Sequence, residues 1–133
     1  PKQRLWYIRA KEVVISSGSI ERPLVFGNND APGVMLSSAA KEYLKVYGVL
    51  VGKKPIIFTN NDSAYETAIS LFEKGVSVNI IDIRKKATSK IVKQAEKFGI
   101  KIYWNSTVTN TFGYRKINSI EIMNLSPSKN LKK

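Results

Sequence analysis

The chain has neither cysteine nor histidine in its 133 residues. Without cysteine there are no disulfides, no thiol redox chemistry and no cysteine nucleophile. Without histidine there is no imidazole base, and nearly every zinc site type is excluded. Acidic residues are scarce as well, ten Asp and Glu against 22 Lys and Arg, giving a net charge of +12. Those ten are scattered and form no D-x-D-x-D-G calcium loop. No catalytic and no metal-binding residue is therefore expected. No apolar run approaches the ~20 residues that span a bilayer. Residues 1 to 20 lack an unbroken apolar h-region and a small-residue cleavage site, so no signal peptide is expected. The expectation is a cytoplasmic protein with no membrane partner. A chain opening on Pro1 without an initiator Met reads as processed or excised from something longer.

Apolar residues make up 43% of the chain, enough for one globular domain with a real core. The basic excess would suit nucleic acid. Lysine is spread over helix surfaces, however (Lys41, Lys45, Lys74, Lys90, Lys93, Lys97), and Arg84-Lys85-Lys86 is a short run. Solvated faces are the preferred reading, and no specific nucleic-acid partner is expected.

Arg4 to Ala10 and Val13 to Ile15 read as strands, and residues 20 to 36 as a long surface connection rich in Pro, Gly and Asn. A helix is expected from Ser37 or Ser38 to about Tyr47, with Ala40, Tyr43, Leu44 and Tyr47 on its apolar face and Gly48 ending it. Pro55 to Phe58 reads as a strand. A helix from about Ser63 to Lys74 follows, with Ser63 and Glu66 at capping-box spacing and Ala64, Ala68, Leu71 and Phe72 inward. Val76 to Ile83 is a strand, a helix capped by Thr88 turns Ile91, Val92, Ala95 and Phe98 inward, and Ile100 to Trp104 is a strand. Thr107 to Phe112 and Ile117 to Met123 read as an antiparallel hairpin about Gly113. Strand–helix alternation predicts an α/β fold, a Rossmann-like parallel sheet with flanking helices and a C-terminal antiparallel hairpin. The expected divisions are residues 1–36, belonging with an adjoining fold, a lobe over 37–125, and a polar tail at 126–133.

The strand–loop–helix at residues 56 to 68 has the layout of a dinucleotide-binding βαβ unit without its glycines. Thr59, Asn61 and Ala64 stand where G-x-G-x-x-G/A would be, and only the last conforms. Asn61 puts a Cβ and an amide where phosphate oxygens would sit. The start of the helix still offers free N–H groups to an anion, but Asp62 stands there and is expected to cap the helix itself. Asp82 follows Asn61 by 21 residues at a strand tip, the place of the acid that binds a ribose 2′-hydroxyl. A solvated strand-end acid is the alternative. Arg84 and Lys85 would lean towards a 2′-phosphate.

Val13-Val14-Ile15-Ser16-Ser17-Gly18 looks like the apolar strand and A-T-G turn of two-dinucleotide flavoprotein folds. Asp62-Ser63-Ala64 is similar to the G-G-G-D-S-A element of their NAD(P)H domain. Residues 20 to 26 (I-E-R-P-L-V-F), Asn28-Asn29-Asp30, residues 32 to 36 (P-G-V-M-L) and residues 58 to 62 (F-T-N-N-D) together resemble the alpha subunit of heterotetrameric sarcosine oxidase. The resemblance implies an internal piece of a much longer subunit, partnered by the rest of that subunit and by the other subunits of the complex. It implies NAD in a neighbouring fold bordered by Ser17 and Gly18, FAD and FMN elsewhere in the complex, and no tightly bound cofactor here. It also makes the glycine-free loop Thr59-Asn60-Asn61 a family feature. The candidate cofactor-contacting residues are thus Ser17, Gly18, Thr59, Asn60, Asn61 and Asp82. The leading reading is a non-catalytic, vestigial nucleotide lobe of an oxidoreductase that oxidises sarcosine. An NAD(P)H-binding lobe of a disulfide-reductase-like flavoprotein and a basic nucleic-acid module are the alternatives.

Overall fold

The computed structural model describes residues 2 to 126. The expected polar tail lies outside them apart from Ser126. In chain order the elements are α1 (Ser37–Tyr47), β1 (Ile56–Thr59), α2 (Ser63–Phe72), β2 (Asn79–Asp82), α3 (Lys90–Lys97), β3 (Lys101–Trp104), β4 (Ser106–Phe112) and β5 (Ser119–Asn124). β1, β2 and β3 form a parallel sheet in that order, with Ile57 opposite Ile80 and Ile80 opposite Ile102. β4 and β5 form an antiparallel hairpin whose register shifts between Val108 and Asn110. This is the α/β architecture that the alternation of strands and helices predicts.

Two strand expectations fail. Residues 4 to 10 and 13 to 15 form no strand and are unpaired, with Leu5, Trp6, Tyr7 and Ile8 between 75% and 90% exposed. A strand is completed by its ladder, and no described residue offers these a partner.

The sheet is apolar on both faces, as parallel sheets are. Alternation along β2 sends Ile80 into the cluster formed with Tyr65, Ala68, Leu71, Val92 and Ala95 of the helices. Ile81, fully buried, points the other way, towards the side where β4 packs against β2. The layers are therefore helices, parallel sheet, hairpin.

Helix faces differ from expectation at their edges. On α1 only Ala40 and Leu44 are buried, while Tyr43 and Tyr47 face outward. Phe72 and Phe98, expected inward, stack on each other at the rim between α2 and α3, centroids 5.7 Å apart. Glu66 does not close a capping box with Ser63 but pairs with Lys41, tying α2 to α1. α3 begins after Ser89, one residue beyond the expected cap Thr88. Gly48 ends α1 in the left-handed region at φ 65°, where its N–H reaches Leu44 O.

The connection before α1 is bonded into the lobe at both ends. The Glu21 carboxylate accepts from Ser37 N, Ser37 Oγ and Ser38 N at 2.9–3.1 Å, capping α1 from sixteen residues away. Phe26 meets Phe58 edge-on at 6.0 Å. Gly27 then pairs with β4: its N–H donates to Thr109 O at 2.8 Å and its carbonyl accepts from Thr111 N at 3.1 Å.

Candidate functional site

In an open parallel sheet, ligands bind beyond the C-terminal ends of the strands. Here that region lies past Thr59 of β1 and Asp82 of β2, opposite each other in the ladder. The loop Thr59-Asn60-Asn61 links β1 to α2.

Thr59 is buried, and its hydroxyl turns the loop. Thr59 Oγ1 accepts from Asn61 N at 3.1 Å and donates to Asn61 O at 3.0 Å. A side chain thus holds a turn that glycine would otherwise make possible. Asn61 Oδ1 then accepts from Ser63 N at 3.0 Å and Ser63 Oγ at 2.7 Å. The first exposed donor of α2 is satisfied by an amide oxygen of the same loop. Asn60 Oδ1 accepts from Asn61 Nδ2 at 3.2 Å, which fixes that amide.

Asp62, expected to cap α2, makes no side-chain cap bond. The reason is Arg84, whose Nη1 donates to Asp62 Oδ1 at 2.7 Å. The Arg84 guanidinium holds the Asp62 carboxyl below its ordinary range.

Asp82 is fully buried. Its Oδ1 accepts from the backbone N–H of Arg84 at 2.9 Å and from Arg84 Nε at 3.0 Å. Its Oδ2 accepts from Arg84 Nη2 and from the Tyr65 hydroxyl, both at 2.7 Å. A carboxylate offers about four acceptor sites, and four donors fill them. Burial, and then the neighbouring Asp82, push the Tyr65 hydroxyl well above its ordinary range, so it stays a donor. Arg84 is held charged first by its hydrogen bonds to Asp82. A guanidinium between two carboxylates, one fully buried, is a compensated charge cluster, not a vacant charge.

The tertiary structure therefore brings together Thr59, Asn60, Asn61 and Asp82, and adds Asp62, Tyr65 and Arg84. It does not bring Ser17 and Gly18 to them. Those two lie exposed in the unpaired N-terminal segment, Gly18 at φ 67°. Tyr65 carries no signal in the sequence, since only the crossover of α2 sets it under Asp82. The Asp82–Arg84 spacing at a strand end was the one legible hint of the cluster. Among the described residues, no three acidic side chains gather as a metal site. An open recess of about 550 Å³ lies outside α1 against Tyr43 and Tyr47, away from the strand ends.

No protein-family model matches the chain. Sarcosine oxidase subunit alpha of Corynebacterium sp. (strain P-1) is 41% identical over 110 residues, 83% of this chain and 11% of that protein. The same subunit of Rhizobium meliloti (strain 1021) is 41% identical over 123 residues, 92% of this chain and 12% of that protein. The chain belongs to the sarcosine oxidase alpha-subunit family. It spans about a ninth of the length of these curated relatives. Among solved structures, thioredoxin reductase from T. acidophilum superposes with a TM-score of 0.63 over 82% of this chain and 36% of that one, at 20% identity. That likeness shows a Rossmann-type fold for this alpha-subunit region. No helix among its described residues is long and apolar enough to cross a membrane.

Proposed function

We propose that this chain is a structural lobe of a sarcosine oxidase alpha subunit, a nucleotide-type fold whose crevice is occupied by its own side chains. The observation that carries the reading is the saturation of both groups a dinucleotide needs. Asn61 takes the N–H at the start of α2 that a pyrophosphate would use. Arg84 and Tyr65 take the Asp82 oxygens that a ribose would use. A dinucleotide does not fit the crevice as these residues are arranged. In this reading NAD belongs to the adjoining fold, bordered by Ser17 and Gly18, and FAD and FMN to other parts of the complex. The oxidation of sarcosine is the work of the whole assembly, with the rest of the alpha subunit and the other subunits as partners.

The fold likeness to thioredoxin reductase supports a second reading, an NAD(P)H-binding lobe. The absence of cysteine and the glycine-free loop weigh against a disulfide-reductase role. Titration calorimetry of NADH and NADPH into the chain separates the two. The structural reading expects no binding tighter than about 1 mM, or ~4 kcal/mol. Micromolar binding would overturn it.

A further inference from the structure

We propose that the outer face of α1 is an interdomain contact, covered in the full-length polypeptide by the same α/β body that takes up residues 4 to 15 as strands. The inference rests on the reading that an adjoining fold stands beside this lobe.

α1 buries only part of its apolar arc. Ala40 and Leu44 bury against the lobe, while Tyr43 and Tyr47, on the flank of the same stripe, and Val46 further round are 47%, 65% and 66% exposed. An apolar arc wider than the stripe a helix buries leaves room for a second body along its flank. The outer side is shaped: Ala39, Tyr43, Tyr47 and Val49 line a recess of about 550 Å³ rimmed by Glu42, with the two tyrosine rings 6.0 Å apart.

The second apolar surface starts from the same joint. Val13, Val14 and Ile15 are 80–85% exposed in a β-branched run that lacks a ladder. That run leads to Glu21, whose carboxylate is bonded to Ser37 and Ser38 at the first turn of α1. Glu21 therefore fixes where the segment leaves the helix. A body that pairs with residues 4 to 15 is held beside α1 by this short tether.

The occupant is drawn from the same polypeptide. The relatives are about nine times longer than the matched region, so a chain of their length supplies such a body. A second copy is disfavoured because each copy would bring a charge of +12 to the contact.

Hydroxyl-radical footprinting read by mass spectrometry tests this on the natural full-length polypeptide, with rates normalised to an added radical dosimeter. Tyr43 and Tyr47 are expected to oxidise roughly fivefold more slowly there than in the 133-residue chain, as water leaves an interface core. Trp6 and Tyr7 should be protected alongside them. Protection of Trp6 and Tyr7 with less than about a twofold change at Tyr43 and Tyr47 would overturn this inference and leave the adjoining-fold reading intact. Unprotected Trp6 and Tyr7 would overturn both. Concentration-dependent protection of Tyr43 and Tyr47 in the 133-residue chain would assign the face to a second copy and overturn the proposal.

Discussion

The Tyr65 hydroxyl donates to the Asp82 carboxylate at 2.7 Å, joining the first turn of α2 to the end of β2 inside the lobe. Both side chains are completely shielded from water. The bond turns a strand-end acid into an internal brace, and three further donors from Arg84 complete it.

Breaking this brace is expected to destabilise the lobe in a pattern that depends on which partner goes. Arg84→Met leaves a buried carboxylate without its cation and should cost about 3–5 kcal/mol. Tyr65→Phe removes one donor and should cost about 1–3 kcal/mol. Asp82→Asn combined with Arg84→Met should recover part of the Arg84→Met loss, because the stranded charge is gone. Urea midpoints of the variants measure this. If Arg84→Met proved neutral, the cluster would not be a brace.

The loop offers a second test. Thr59→Gly with Asn61→Gly removes the turn-holding hydroxyl and the amide that satisfies Ser63. The lost cap should cost about 0.5–2 kcal/mol. Glycine entropy should add about 0.5–1 kcal/mol at each site. NADH affinity should stay weaker than about 1 mM, because Asp82 is still engaged by Arg84 and Tyr65. Recovery of micromolar binding in calorimetry would show that the loop alone had closed the crevice.

Gly27 is expected to tolerate no side chain. A Cβ there would sit 2.6 Å from Asn110 Oδ1 and 3.2 Å from Thr109 O. The Asn110 amide cannot easily yield, since its oxygen accepts from Asn28 Nδ2 at 3.0 Å and Thr111 N at 2.9 Å. Gly27→Ala should cost about 1–3 kcal/mol through overpacking. Gly52→Ala, with nothing within 4 Å of the added Cβ, is the matched control and should leave the thermal midpoint unchanged.

Stability should be level in pH until the acid range. No side chain here has an ordinary pKa between 5 and 8, because histidine is absent. Asp62 is lowered from 3.8, chiefly by Arg84. Glu21 is lowered from 4.5: burial opposes the shift, and the bonds from Ser38 and Ser37 together outweigh it. A lowered folded pKa means stability that is complete above the unfolded value and lost as pH falls through the folded one. The thermal midpoint should therefore hold from pH 8 to about pH 5 and drop below about pH 4, less steeply in Asp62→Asn and Glu21→Gln. A midpoint already falling between pH 7 and 5 would contradict this assignment.

The sequence by itself determined the order and type of the lobe's elements. Its period-2 and period-3.6 apolar patterns, with glycines at the helix ends, are local signals, and α1 to β5 follow from them. It also determined that the loop at Thr59 to Asn61 lacks the glycines of a phosphate cradle. What it left open were relationships between residues far apart in the chain. Arg4 to Ala10 carries a strand pattern yet forms no strand among the described residues, because a ladder needs a partner that pattern cannot supply. Asp62 looked like the cap of α2 and Asp82 like an acid awaiting a ribose. Only the tertiary structure, by laying β2 beside β1 and α2 across both, put Arg84 between the two carboxylates and Tyr65 beneath Asp82. Charge compensation in a buried site is decided by which side chains the fold brings within about 3 Å, and that distance is not written in sequence spacing.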